Sequence, residues 1–235
     1  MVNNSIAIIP ARGGSKRIPE KNIVDFNGIP MIAKTIQAAK KTNLFCHVLV
    51  STDDEKIAAV AKKYGAEVPF MRENYCDDFA TVSQATIYAI KQAEEFYQEK
   101  YDVVVQLMAN CPLRTTAEIV NSYNYFMDNA HDFQISCFKF GWMNPWWAMT
   151  LDDDMKAEKL FPETGEKRSQ DLQDLFCPTG AIWIANVEAL KQSGTFYGDN
   201  YRAFPIEWTS AVDIDNYDDL KMAKLLDNMN KEDEE

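Results

Sequence analysis

Ser5-Ile-Ala-Ile-Ile-Pro10, followed at once by Ala11-Arg-Gly-Gly-Ser-Lys-Arg-Ile-Pro-Glu-Lys-Asn22, decides how the rest of the chain is read. The first six residues form a short apolar run, the pattern of a strand buried on both faces. Adjacent glycines, Gly13 and Gly14, let the backbone turn and bring its N–H groups close to an anion. Arg12, Lys16, Arg17 and Lys21 place four positive side chains around that turn. A triphosphate requires this combination, because N–H donors position its oxygens and fixed cations offset its charge. Neither G-x-x-x-x-G-K-[ST] nor G-x-G-x-x-G occurs, so neither a Walker loop nor a dinucleotide fingerprint is supported. A solvated basic loop is the bland alternative. Its place after the first strand of an α/β sheet, where ligands sit, favours the anion site.

Outward from this stretch, apolar runs alternate with segments of helical period. Pro30 to Lys41 is expected to be a helix, with Pro30 in its first turn, and Val48 to Ser51 a strand. Thr52 and Glu55 have capping-box spacing ahead of Ile57, Ala58, Ala61 and Tyr64, and Gly65 supplies a stop. Glu67 to Phe70 reads as a short strand, Ala80 to Gln98 as a long helix and Val103 to Leu107 as a buried strand. Thr115 and Glu118 repeat the capping box before a helical stripe. Phe133 to Phe138, Ala181 to Ala185 and Ala211 to Ile214 read as strands, and Tyr217 to Met229 as the closing helix. The expectation is an α/β fold in one domain spanning 1–235, its mostly parallel sheet flanked by helices. Residues 141–176 break the rhythm with Trp142, Trp146, Trp147 and an acidic turn, and read as an excursion from the sheet. Its tryptophans either fill a core or make subunit contacts.

The bulk properties exclude several classes. A net charge of −12 over 235 residues argues against nucleic acid as a partner, and no apolar run approaches the ~20 residues needed to cross a bilayer. The first residues lack the features of a secretory signal. Five scattered cysteines without a C-x-x-C pair point to reduced thiols in the cytoplasm, and two histidines make a histidine-based zinc site unexpected.

Near the other end, Val212-Asp213-Ile214-Asp215-Asn216 sets two carboxylates two residues apart. In an extended segment they share one face while Ile214 turns inward. Such a pair suits magnesium, which takes one or two carboxylates and completes its octahedron with water and phosphate oxygens. The alternative is that Asp215 or Asn216 merely caps the following helix.

The two elements, in this order, resemble the acylneuraminate cytidylyltransferase (CMP-sialic acid synthetase) family, which includes pseudaminate and legionaminate cytidylyltransferases. Ile9 to Asn22 is similar to the family's I-P-A-R-x-x-S-x-x-x-P-x-K-N signature, and Ser51-Thr52-Asp53, Cys111-Pro112-Leu113-Arg114, Gly180-Ala181-Ile182-Trp183 and the V-D-I-D run also fit. The resemblance runs from Ile6 to about Leu226. It implies a Rossmann-like nucleotidyltransferase sheet with a small dimerisation lobe at the position of the excursion, hence a homodimer. It implies CTP and an acidic nine-carbon sugar as substrates, Mg2+ as cofactor, and transfer of CMP with release of pyrophosphate. Carried over by position, Ala11, Arg12, Gly13, Gly14, Ser15, Lys21, Asn22, Arg72, Asp78 and Ala80 would bind the nucleotide. Asp213 and Asp215 would hold the metal and, with Arg12 and Lys21, form the catalytic set. Gln106, Met108, Arg168, Gln170 and Trp183 would face the sugar. Met108 stands where a sugar-contacting glutamine is usual, with Gln106 two residues earlier on the same strand face. Trp147 stands near a usual lobe lysine, and Val82 replaces a hydroxyl residue. These departures leave the sugar open, with the eight-carbon acid Kdo or a non-catalytic binding homologue as alternatives.

Overall fold

A computed structural model describes residues 4–165 and 167–232; residues 1–3, 166 and 233–235 lie outside the described part. From the amino end, β1 (Ser5–Pro10) leads through the basic loop to a hairpin of β2 (Asp25–Phe26) and β3 (Ile29–Pro30). Then come α1 (Met31–Lys41), β4 (His47–Ser51) and α2 (Glu55–Lys63). After a long connector follow α3 (Val82–Tyr97), β5 (Val103–Gln106), α4 (Thr116–Asp128) and β6 (Phe133–Lys139). A second hairpin, β7 (Met149–Leu151) and β8 (Ala157–Lys159), precedes β9 (Phe176–Asn186), α5 (Val187–Ser193), β10 (Arg202–Pro205) and α6 (Tyr217–Glu232).

Six of these strands form one sheet in the order β10-β6-β9-β5-β1-β4. β1 pairs in parallel with both β4 and β5, and β10 with β6, while β9 runs antiparallel between β5 and β6. The expected mostly parallel α/β sheet is what forms. Because successive side chains point to opposite faces, β1 feeds two cores. Ala7 and Ile9 pack with Ile36, Ile57 and Ile119 from α1, α2 and α4. Ile6 and Ile8 pack with Ala89, Ile90 and Leu190 from α3 and α5. A third cluster joins distant segments: Ile18 of the basic loop packs with Met31, Leu113, Val212 and Ile214. Burying isoleucines such as Ile18 and Ile214 contributes about 2–3 kcal/mol each. That cluster ties the basic loop to the acidic pair. No helix among the described residues is long and apolar enough to cross a membrane.

Three local expectations need correction. The cap of α2 is Asp54, whose side chain accepts from the N–H groups of Lys56 and Ile57, because Thr52 is already engaged with the Asp54 N–H at 3.1 Å. Glu67 to Phe70 forms a single parallel bridge, Glu67 to Leu49, rather than a strand. Ala211, Val212 and Ile214 are buried, but the segment is turned: Ala211 donates to the carbonyls of Glu207 and Trp208, and Ile214 to the Asn110 carbonyl. The sheet edge is taken instead by β10. The Thr115–Glu118 capping box forms as expected, with both reciprocal bonds present.

Candidate active site

Beyond the ends of β1 and β5 lies a cavity of about 490 Å3, with Pro10 on one wall and Met108 on another. The basic loop and the acidic pair, nearly two hundred residues apart in sequence, both line it and touch one another. Lys21 Nζ donates to Asp215 Oδ1 at 3.0 Å and to the Ile214 carbonyl at 2.8 Å. Arg17 reaches the other Asp215 oxygen at 2.8 Å. Arg12 pairs with Asp78 at 2.8 Å and donates to the Asp77 carbonyl at 2.7 Å, and Lys16 also pairs with Asp78. Each cation of the loop thus meets a carboxylate at the cavity mouth. Solvent screens such part-exposed pairs, which contribute little to stability, so phosphate oxygens can replace them at little cost.

The loop is shaped by its neighbours. Neither Gly13 nor Gly14 has a positive φ. At Gly13 the requirement is close approach: a Cβ would lie 2.8 Å from Asp54 Oδ2 and 2.9 Å from Asp54 Cβ. Its N–H donates to Asp53 Oδ1 at 2.9 Å. Asn22, itself buried, donates from Nδ2 to the Arg12 carbonyl at 2.9 Å and closes the loop on itself. Ala11 is buried and donates to the Ser51 carbonyl at 2.9 Å, behind the cavity wall.

The two aspartates differ. Burial first, and then the charge of Asp215, push the Asp213 carboxyl up to about 6. For Asp215 burial works upward, but the hydrogen bond and charge of Lys21, with Arg17, hold it below the usual carboxylate range. A raised carboxyl beside a second one is a donor set that a hard divalent cation relieves, so the pair fits magnesium.

The sequence matches the cytidylyltransferase family over residues 6–223. The chain belongs to that family. It is 34% identical to a pseudaminic acid cytidylyltransferase of Campylobacter jejuni, over 97% of this chain and 98% of that protein. It is 32% identical to an N-acylneuraminate cytidylyltransferase of Streptococcus agalactiae, over 92% of this chain and 51% of that protein. Its fold is similar to that of a CMP:2-keto-3-deoxy-manno-octonic acid synthetase complexed with CTP, with a TM-score of 0.71 at 17% identity, covering 97% and 99% of the two chains.

In this cytidylyltransferase, Arg12, Ser15, Lys21, Asn22, Arg72, Asp78, Ala80, Met108, Asp213 and Asp215 line the one cavity. Arg72 is almost fully buried and donates to the Ser51 carbonyl at 3.1 Å. Four residues expected at the sugar stand elsewhere. Gln106 is fully buried, and neither atom of its amide has a partner among the described residues. Trp183, opposite Gln106 on β9, donates to the Thr179 carbonyl at 2.8 Å and packs on Phe196 and Tyr197. Arg168 and Gln170 are exposed on the excursion, where Arg168 pairs with Asp171 at 2.8 Å. These two are not brought to this chain's own cavity.

Asn110 escaped the sequence reasoning, and Arg114 and Gly180 entered it only as motif positions without a role. Asn110 lines the cavity and donates to Asp213 Oδ1. Its backbone carbonyl accepts from Ile214 N at 2.9 Å, so it holds the acidic segment twice. Arg114 is buried and donates to the carbonyls of Ala181 at 2.6 Å, Cys111 at 2.8 Å and Met108, and to Thr35 Oγ1 at 2.8 Å. Burial pulls its guanidinium down to about 10. The Arg of C-P-L-R therefore staples the loop that carries Asn110. Gly180 admits Met108, since a Cβ there would lie 2.9 Å from Met108 Cγ. A polar residue directly before Cys111-Pro112 was the available signal for Asn110.

Proposed function

We propose that this chain activates an acidic nine-carbon sugar of the nonulosonic type, joining CMP from CTP to it with release of pyrophosphate. The meeting of Lys21 and Asp215 at 3.0 Å in the lining of one cavity carries this reading, because cations suited to phosphate and carboxylates suited to a metal would then share one substrate. The printed activities of the relatives, on pseudaminic and N-acylneuraminic acids, supply the sugar class.

Arg12, Lys16, Arg17 and Lys21 would exchange Asp78 and Asp215 for triphosphate oxygens and offset their charge. Arg72, Asp78 and Ala80 would border the nucleoside. The sugar's anomeric hydroxyl would attack the α-phosphorus in line, expelling pyrophosphate. Positioning and charge stabilisation supply most of the rate in such a step. Asp213 and Asp215, braced by Asn110, would hold Mg2+, which supplies charge neutralisation at the phosphates when bound.

The excursion supports a homodimer. Trp142 is 85% exposed, and Met149, Leu151 and Leu160 are also exposed on the same excursion. Trp146 instead donates to the Gln173 carbonyl at 2.8 Å and packs on Phe161, holding the excursion together from within. Arg168 and Gln170 would then face the sugar of the partner subunit, where a planar guanidinium suits a carboxylate. Five free cysteines accord with the cytoplasm.

The test is incubation with CTP, Mg2+ and pseudaminic, legionaminic, N-acetylneuraminic or Kdo acid, following pyrophosphate. Release with a nine-carbon acid is expected. Release with Kdo alone, or CTP binding without turnover of any acid, would overturn the proposal.

A further inference from the structure

At the amino end of the sheet, remote from the cavity, Cys46, His47 and Glu99 bring a sulfur, an imidazole nitrogen and a carboxylate oxygen within 4.8 Å of one another. His47 opens β4 and pairs with Ile6, whereas the basic loop follows Pro10, which pairs with Ser51. Four residues of strand separate the two ends by about 13 Å.

The imidazole is held in one orientation. Its ring stacks on Tyr97 with centroids 3.9 Å apart and planes 20° apart. Nδ1 lies 2.8 Å from Glu67 Oε2, and the same oxygen accepts from the Tyr97 hydroxyl at 2.6 Å. A carboxylate only accepts, so the neutral ring that keeps this bond carries its proton on Nδ1 and leaves the Nε2 lone pair for a metal. Nε2 faces Glu99 Oε2 at 3.4 Å. Ligand atoms bonded at about 2.0–2.1 Å in a tetrahedron stand about that far apart. A carboxylate behind the far nitrogen of a ligating histidine is the usual support of a metal site.

We propose that Cys46, His47 Nε2 and Glu99 bind a borderline divalent cation, Zn2+ in the cell, with Glu67 as the supporting carboxylate and solvent at the fourth position. One sulfur, one nitrogen and one oxygen donor suit zinc and disfavour magnesium, which prefers oxygen. The site is thus chemically distinct from the aspartate pair. Cys46 Sγ donates to the Ser5 carbonyl at 3.0 Å; binding forms the metal–sulfur bond, breaks this S–H bond and releases the proton to solvent. The ion links the start of β4 to the connector between α3 and β5.

The experiment titrates the tag-free full chain with Co2+ under excess Mg2+, without CTP or sugar, so that its outcome is independent of the proposed activity. A thiolate-to-cobalt charge-transfer band saturating at one equivalent is expected, lost in Cys46→Ser and bleached by Zn2+. Glu67→Gln should weaken the affinity roughly ten- to a hundredfold, and Glu99→Gln should weaken it as well. Absence of the band, its survival in Cys46→Ser, or unchanged affinity in Glu99→Gln would overturn the site.

Discussion

The cavity and the excursion are both rich in functional side chains, yet they are supported in opposite ways. Around the cavity, each key side chain leans on buried structure of its own chain: Asp213 on Asn110, the Asn110 loop on Arg114, and the basic loop on Ile18 against Ile214. On the excursion, Trp142, Met149 and Leu151 face outward and Arg168 pairs only locally. Preorganised charge requires rigid support, whereas exposed apolar surface gains its stability from a partner. The first region is held by contacts within its own chain, and the second leaves apolar side chains uncovered.

Four measurements would break or sharpen this contrast. Asp215→Asn or Lys21→Ala should lower pyrophosphate release between about a hundred- and a thousandfold without changing the unfolding midpoint. Substantial retained turnover would remove that residue from the mechanism. Arg114→Met should destabilise the chain by on the order of 3 kcal/mol, since it strips donors from three carbonyls at once; denaturant unfolding measures it, and a loss below about 0.5 kcal/mol would show that the loop stands without its staple. Trp142→Ser should weaken self-association by about 2 kcal/mol while leaving monomer stability unaltered, as read by sedimentation at several concentrations. A monomeric wild type would instead leave the excursion without the partner inferred here. Asn110→Ala should raise the Mg2+ concentration needed for half-maximal turnover roughly tenfold, and an unchanged requirement would reduce Asn110 to a backbone brace.

Much of the fold could be read from short-range rules. The Thr115–Glu118 box and the Gly65 stop form because capping and left-handed φ are decided within a few residues. Other expectations failed where long-range contacts competed. Thr52 has the spacing of a cap, but Asp54 takes that role. Ala211, Val212 and Ile214 are apolar and buried, and burial alone does not make a strand; the N–H groups of Ala211 and Ile214 bond within a turn and to Asn110. Within the site, charge and glycine marked the loop, whereas Asn110 carried no pattern of its own and Arg114 stood out only as a motif position, since what each one bonds is decided by folding. Cys46 and His47 are adjacent in sequence, yet Glu67 and Glu99 join them only through folding.

The sequence by itself determined a mostly parallel α/β sheet, a cationic loop after β1 and a pair of carboxylates near the end, because periodicity and charge are local properties. Only the tertiary structure decided that Lys21 meets Asp215 at 3.0 Å, that Gln106 lies sealed below the cavity and that Arg168 stands apart from it. Strand register and the packing of Ile18 on Ile214 set those distances, and no stretch of chain encodes them alone.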